Sequence, residues 1–89
     1  MQFTAHVRVT LRPSILDPQG KAIQSALQDL GMPGVETVRT GKFFELHVEA
    51  PSAEAAEATV RQAAEKLLAN PVTEDIHILA LVPSEGIAS

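Results

Sequence analysis

From Phe3 the chain alternates, with Phe3, Ala5, Val7, Val9 and Leu11 on one side and Gln2, Thr4, His6, Arg8, Thr10 and Arg12 on the other. A period of two over this length predicts a strand with one face buried. Pro13-Ser14 breaks the pattern. After Asp17-Pro18 the apolar positions Ala22, Ile23, Ala26, Leu27 and Leu30 recur at helical spacing as far as Gly31, a natural C-terminal stop. Residues 35–40 and 43–50 are both rich in strand formers and are separated by Gly41-Lys42, which predicts a hairpin. In its second strand Phe44, Leu46, Val48 and Ala50 share the core face and Phe43, Glu45, His47 and Glu49 the other. Pro51-Ser52 opens an Ala-rich helix with Ser52 as N-cap, a stripe of Ala56, Val60, Ala63, Ala64 and Leu67, and a stop at Asn70-Pro71. A last strand places Ile76, Ile78, Ala80 and Val82 opposite His77, Leu79 and Leu81, apolar on both faces beyond Ile78.

The elements run in βαββαβ order. The fold class expected is α+β, a two-layer sandwich in which two helices cover one face of a mainly antiparallel sheet. The open face carries His6, Arg8, Phe43, Glu45, His47, Leu79 and Leu81, too mixed for plain solvent surface, and predicts self-association through that face or through the last strand, with His77, Leu79 and Leu81 as its candidate contacts. Residues 1–82 form the single domain and 83–89 a short tail.

The run Leu16-Asp17-Pro18-Gln19-Gly20-Lys21 holds more than a helix start requires. Asp17 caps free N–H groups and Pro18 presets φ at the first helical position. Gly20 costs roughly 1 kcal/mol relative to Ala inside a first turn, so local stability does not explain it. A close approach to the backbone does. The residues alone leave open what approaches.

Composition narrows the chemistry. The 89 residues contain no cysteine, which removes disulfides, thiolate metal sites and a cysteine nucleophile. Net charge is −4, divided unevenly: residues 1–44 carry five basic and three acidic groups, 45–89 two basic and eight acidic. An acidic chain without Tyr or Trp and with three Phe lacks the field and stacking surfaces of a nucleic-acid binder, so no nucleic-acid partner is expected. No apolar run approaches a membrane span and the N-terminus is unlike a secretory signal, so no membrane partner and a cytoplasmic location are expected. His6, His47 and His77 sit on three different strands without the ligand spacing of a metal site, and no metal is expected. Glu45 with Glu49 and Glu54 with Glu57 read as a solvated face and a helix start rather than an acid–base pair. The serines lack a nucleophile elbow. Gly31-Met32-Pro33-Gly34 and Gly41-Lys42 lack phosphate-loop spacing. An acylphosphatase-like reading shares the element order but lacks its Gly-rich loop and anion-binding Arg between Arg12 and Asp17. No catalytic set emerges.

Three runs in register carry a resemblance: Leu16-Asp17-Pro18-Gln19-Gly20, Val38-Arg39-Thr40-Gly41-Lys42-Phe43-Phe44-Glu45-Leu46, and Lys66-Leu67-Leu68-Ala69-Asn70-Pro71-Val72-Thr73-Glu74-Asp75. Together they span nearly the whole chain, which closely resembles the PurS family, the small subunits of phosphoribosylformylglycinamidine (FGAM) synthase. The resemblance implies a non-catalytic adaptor in purine biosynthesis. It would form dimers or tetramers and bridge a PurQ-type glutaminase, which releases ammonia, and a PurL-type synthetase, which uses ATP to make the amidine. ATP, Mg and glutamine would then belong to the complex and no cofactor to this chain. Candidate partner contacts are Asp17, Pro18, Gln19, Gly20 and Lys21 at the helix start and Arg39, Gly41, Lys42 and Phe43 at the hairpin; bulky replacements at Gln19 and Gly20 would then leave folding and self-association intact and weaken association with the larger subunits. The competing class is a small regulatory or ligand-binding module working alone.

Overall fold

The computed structural model describes residues 1–84. Strand β1 (Gln2–Leu11) is central, with β2 (Gly41–Glu49) and β3 (Glu74–Pro83) antiparallel on either side. Helix α1 (Pro18–Asp29) lies between β1 and β2 in the chain. Helix α2 (Ala53–Ala63), continued by a π turn over Ala64–Leu68, lies between β2 and β3. The α+β class and the antiparallel sheet follow the alternation. The inward residues Phe3, Ala5, Val7 and Val9 meet Val48 from β2, Ala50 just after it, Ala56 and Val60 from α2, and Ala69 just after the π turn. Ala56 and Ala64 are small enough to let α2 lie close on the strands, and with Val60 they are fully buried.

Residues 35–40 occupy the place expected for a strand but make no ladder, so the sheet has three strands and the hairpin at Gly41-Lys42 does not form. Instead Gly41 and Lys42 already belong to β2, opposite Thr10 and Val9. The cause is a competing set of bonds: Thr40 is held by Asp17, which draws the preceding segment over the start of α1. The Gly41 backbone also lies so near β1 that an added Cβ would stand 2.9 Å from the Val9 carbonyl oxygen.

Three further expectations change. First, α1 is not in the layer over the sheet: Gly20 is its only buried residue, and its apolar stripe contributes nothing to the core cluster. The single helix layer is α2. Second, the pairing of β1 with β3 shifts between His6 and Val7, so Leu79 is an extra residue bulged out of β3. Beyond it the alternation inverts: Leu81 opposes Ala5 and packs on the core, whereas Ala80 and Val82 oppose His6 and Thr4 and share their open face. Leu81 therefore lies on the helix-covered side, not beside His77. Third, the π turn, closed by Ala69 N–H to Ala64 C=O at 2.9 Å, rotates the end of the helix. Leu67 swings out to 85% exposed and Ala69 takes the buried place. At the C-terminal end Pro83 closes β3, and Ser84 just beyond it donates its N–H to Gln2 C=O and bonds the Thr4 hydroxyl; the remaining tail residues, 85–89, lie outside the described residues. No helix among the described residues is long and apolar enough to cross a membrane.

The surplus at Gly20 is now explained within the chain. A Cβ added there would lie 2.2 Å from the Val38 carbonyl oxygen and 3.0 Å from Asp17 Oδ2. Backbone cannot yield that distance cheaply, so the expectation that bulky residues at Gly20 leave folding intact is overturned. Gly20→Ala is expected to lose roughly 1–3 kcal/mol of stability in denaturant unfolding, as an overpacked site does. Gly34→Ala, where a Cβ meets nothing within 4 Å, is expected to stay within about 0.5 kcal/mol of the parent chain.

Candidate functional site

Two of the runs singled out in the sequence, 17–21 and 39–43, meet at one corner of the molecule. Asp17 is the pin. It is only 4% exposed, and its carboxylate accepts from Gly20 N–H at 2.8 Å, Thr40 N–H at 2.6 Å and the Thr40 hydroxyl at 3.0 and 3.1 Å. A buried carboxylate without such donors would be costly. The Thr40 N–H and then the Gly20 N–H hold its pKa below the ordinary 3.8, against an opposing push from burial; the Thr40 hydroxyl and the Arg39 charge lower it further.

Around this pin lie two surface cavities sharing Thr40, Gly41 and Lys42. One, of about 280 Å³, is lined by Val9, Leu11, Asp17, Pro18, Gln19 and Glu74 besides. The other, of about 340 Å³, adds Arg8, Thr10, Arg39 and Phe43. Pro18, Gln19, Gly41, Lys42 and Phe43 are exposed there. Phe43, 60% exposed, sits against His6 with ring centroids 5.3 Å apart. Lys21 is exposed on α1 but lines neither cavity. Asp17 and Gly20 face inward, so a docking surface at this helix start is made by their neighbours. Arg39 is similarly engaged: its guanidinium donates to the carbonyls of Ile15 at 3.1 Å, Arg12 at 3.0 Å and Leu11 at 3.4 Å, tying the β1–α1 connection to the segment before β2.

Thr40 and Glu74 were not singled out as site residues from the sequence. Thr40 sat inside a run that reads as a strand, and only the Asp17 bonds reveal its role. Glu74 Oε1 accepts from Asn70 N–H at 2.7 Å, which fixes the corner before β3, and its Oε2 stands 4.0 Å from Lys42 Nζ.

On the open face Glu45 stands between two histidines, 2.9 Å from His47 Nε2 and 3.4 Å from His6 Nε2. The His47 hydrogen bond lowers the Glu45 pKa from its ordinary 4.5 despite an opposing desolvation contribution, and the charges of His47 and His6 add to the effect. His77 is elsewhere, paired in register with Arg8 and 3.5 Å from the Thr10 hydroxyl. The three histidines do not converge, and no group of three metal-capable side chains occurs among the described residues. Of the expected self-association contacts, Leu79 is exposed on its bulge, His77 half-buried on the open face, and Leu81 on the opposite side. The Thr40 hydroxyl is committed to holding Asp17, and the corner around it presents the exposed side chains of Pro18, Gln19, Lys42 and Phe43.

Residues 4–81 match the family model PurS, described as phosphoribosylformylglycinamidine (FGAM) synthase. The chain belongs to the PurS family. It is 49% identical over 77 residues to the phosphoribosylformylglycinamidine synthase subunit PurS of Synechocystis sp., covering 84% of this chain and 77% of that one. Among solved structures, Bacillus subtilis PurS overlays with a TM-score of 0.80 at 40% identity, covering 89% of this chain and 96% of that one. A chain in the structure of PurLQS from Thermotoga maritima overlays with a TM-score of 0.81 at 35% identity, covering 88% and 95%.

Because the Asp17 carboxyl is more acidic in the folded chain than in the unfolded one, its contribution to stability is complete above the unfolded value of 3.8 and is lost as pH falls through that value and below. Asp17→Asn is therefore expected to lower the thermal midpoint by roughly 4–8 °C at pH 7. The gap between variant and parent should narrow in acid, measured by thermal unfolding between pH 7 and pH 2.5.

Proposed function

We propose that this chain is the small, non-catalytic subunit of a glutamine-dependent FGAM synthase, acting in the cytoplasm in purine biosynthesis. It bridges a glutaminase and a synthetase subunit, associates with copies of itself, and helps ammonia pass between the two larger subunits. ATP, Mg and glutamine are used by those subunits, and this chain binds no cofactor. The observation that carries the reading is the overlay, at a TM-score of 0.81, on a chain of the Thermotoga maritima PurLQS structure. The corner supports it: Pro18, Gln19, Lys42 and Phe43 are solvent-facing around a rigid pin, while Asp17, Gly20 and Arg39 hold that surface in shape.

The physical advantage of such a subunit is sequestration. Ammonia must reach an activated amide before it escapes or is protonated, and a shell of packed subunits excludes the water that would trap it. Surfaces suffice for that task, and reacting groups are not needed in this chain.

The test is reconstitution with the two larger subunits. Omitting this chain should abolish glutamine-dependent amidine formation while ammonium salts still support it; equal glutamine-dependent rates with and without the chain would overturn the proposal. Phe43→Ala and Lys42→Ala, at exposed positions, should retain the parent unfolding midpoint and weaken association with the larger subunits roughly tenfold or more in titration calorimetry. Unchanged affinity would remove the corner from the interface.

A further inference from the structure

The cavity of about 340 Å³ beside the open face carries a charge that holding subunits together does not require. Three segments place cations on it: Arg8 from β1, Arg39 from the stretch before β2, and Lys42 from β2. Among the described residues no carboxylate lines it. In a chain of net charge −4, like charges gathered at one place repel one another unless an anion meets them. The acids nearby are engaged elsewhere. Asp17 is buried under its own donors, Glu45 is held between His47 and His6, and Asp75 lies 3.6 Å from Arg12. Glu74, 4.0 Å from Lys42 Nζ, lines the neighbouring cavity. Arg8 is exposed and has no ion-pair partner among the described residues. Arg39 spends its donors on three backbone carbonyls, which fixes its guanidinium in place and leaves its charge beside the cavity. Phe43, opposite Arg8 in the β1–β2 register, adds an aromatic ring that is 60% exposed and backed by His6.

We infer that this cavity binds a nucleoside monophosphate, with the phosphate between Arg8 and Lys42 in the field of Arg39 and the base stacked on Phe43. A phosphate monoester carries close to two negative charges at neutral pH and calls for more than one cation, and a free guanidinium matches two of its oxygens at once. The volume lies at the lower end of the roughly 300–1,000 Å³ of small-molecule sites, which suits one nucleotide. A nucleic-acid strand would need rings and cations repeated along a groove, and a chain without Tyr or Trp does not supply them. Gly41-Lys42 has no phosphate-loop spacing because the cations come from three segments that only folding brings together.

This goes beyond the adaptor role and does not rest on it. It is read on the purified chain alone, so its outcome is separate from that of amidine formation in the reconstituted complex. In a two-dimensional NMR titration at low ionic strength the parent chain should bind AMP with a Kd of about 1 mM or tighter. Ribose 5-phosphate, which lacks the base, should bind roughly tenfold more weakly, and adenosine, which lacks the phosphate, should bind more weakly still. Arg8→Ala and Lys42→Ala should weaken both phosphates roughly tenfold or more. Phe43→Ala should bring AMP to within about threefold of ribose 5-phosphate while leaving ribose 5-phosphate within about threefold of its parent affinity, a split that general loss of structure would not produce. Arg61→Ala, which removes the same charge from an exposed position on α2, should change either affinity by less than about threefold. The methyl resonances of the buried Val7 and Val60 report that each variant keeps its core. AMP binding that fails to saturate by about 10 mM, or that is as strong in Arg8→Ala as in the parent, would overturn the inference. So would an Arg8→Ala chain that loses affinity only for the larger subunits, which would assign the cations to an acidic partner segment.

Discussion

The Asp17 carboxylate governs the geometry of residues 17–43. One buried acid takes donors from its own helix start and from Thr40, which follows it by 23 residues, and in doing so makes the start of α1 and the start of β2 a single corner. The contact leaves no freedom nearby. With Thr40 fixed, the Val38 carbonyl passes over the first turn of α1, and the residue beneath it has to be glycine. Arg39 then reaches back to three carbonyls of the β1–α1 connection, so the segments on both sides of the pin are tied to each other as well as to it. Losing the carboxylate's charge therefore disturbs a cap, a crossing and a clamp together.

What the chain reveals in its own pattern is what depends on near neighbours. The alternation from Phe3 to Val9 reports burial directly, because β1 is central and one face of it is sealed by α2. Asp17 and Ser52 read as caps since a cap is a contact over three residues, and both make that contact, to Gly20 N–H and Ala55 N–H. The departures come from distant partners or from single-residue slips. Val35–Thr40 has the composition of a strand, but the Asp17 bonds outcompete ladder pairing. A single extra residue at Leu79 inverts the facing of everything after it, and an i→i+5 turn at Ala64 does the same for Leu67. In neither case does local composition mark the slip.

The candidate site was legible as a pair of runs and illegible as a division of labour. Asp17, Gly20 and Arg39 were grouped with Pro18, Gln19, Lys42 and Phe43 because all seven lie in the runs that resemble PurS. Folding separates them. Asp17 and Gly20 are buried at the crossing, Arg39 is exposed but spends its guanidinium on backbone carbonyls, and the others face solvent. Gly20 shows why the two kinds look alike in a sequence: a glycine required by a neighbouring segment and one required by a docking partner leave the same mark.

Amphipathicity has the same ambiguity on a larger scale. The stripe on α1 is as regular as the one on α2, and periodicity alone places both over the sheet. The two helices differ in how they are attached. The closure after β2 is short, with Pro51-Ser52 turning directly into α2, so that helix returns onto the strand it follows. Helix α1 is instead fixed through a buried carboxylate and a backbone crossing at one end, and its axis is set by that corner rather than by the strands. A helix positioned by polar contacts at its end is left with its apolar side unused by its own domain, and in an acidic chain that side is uncharged.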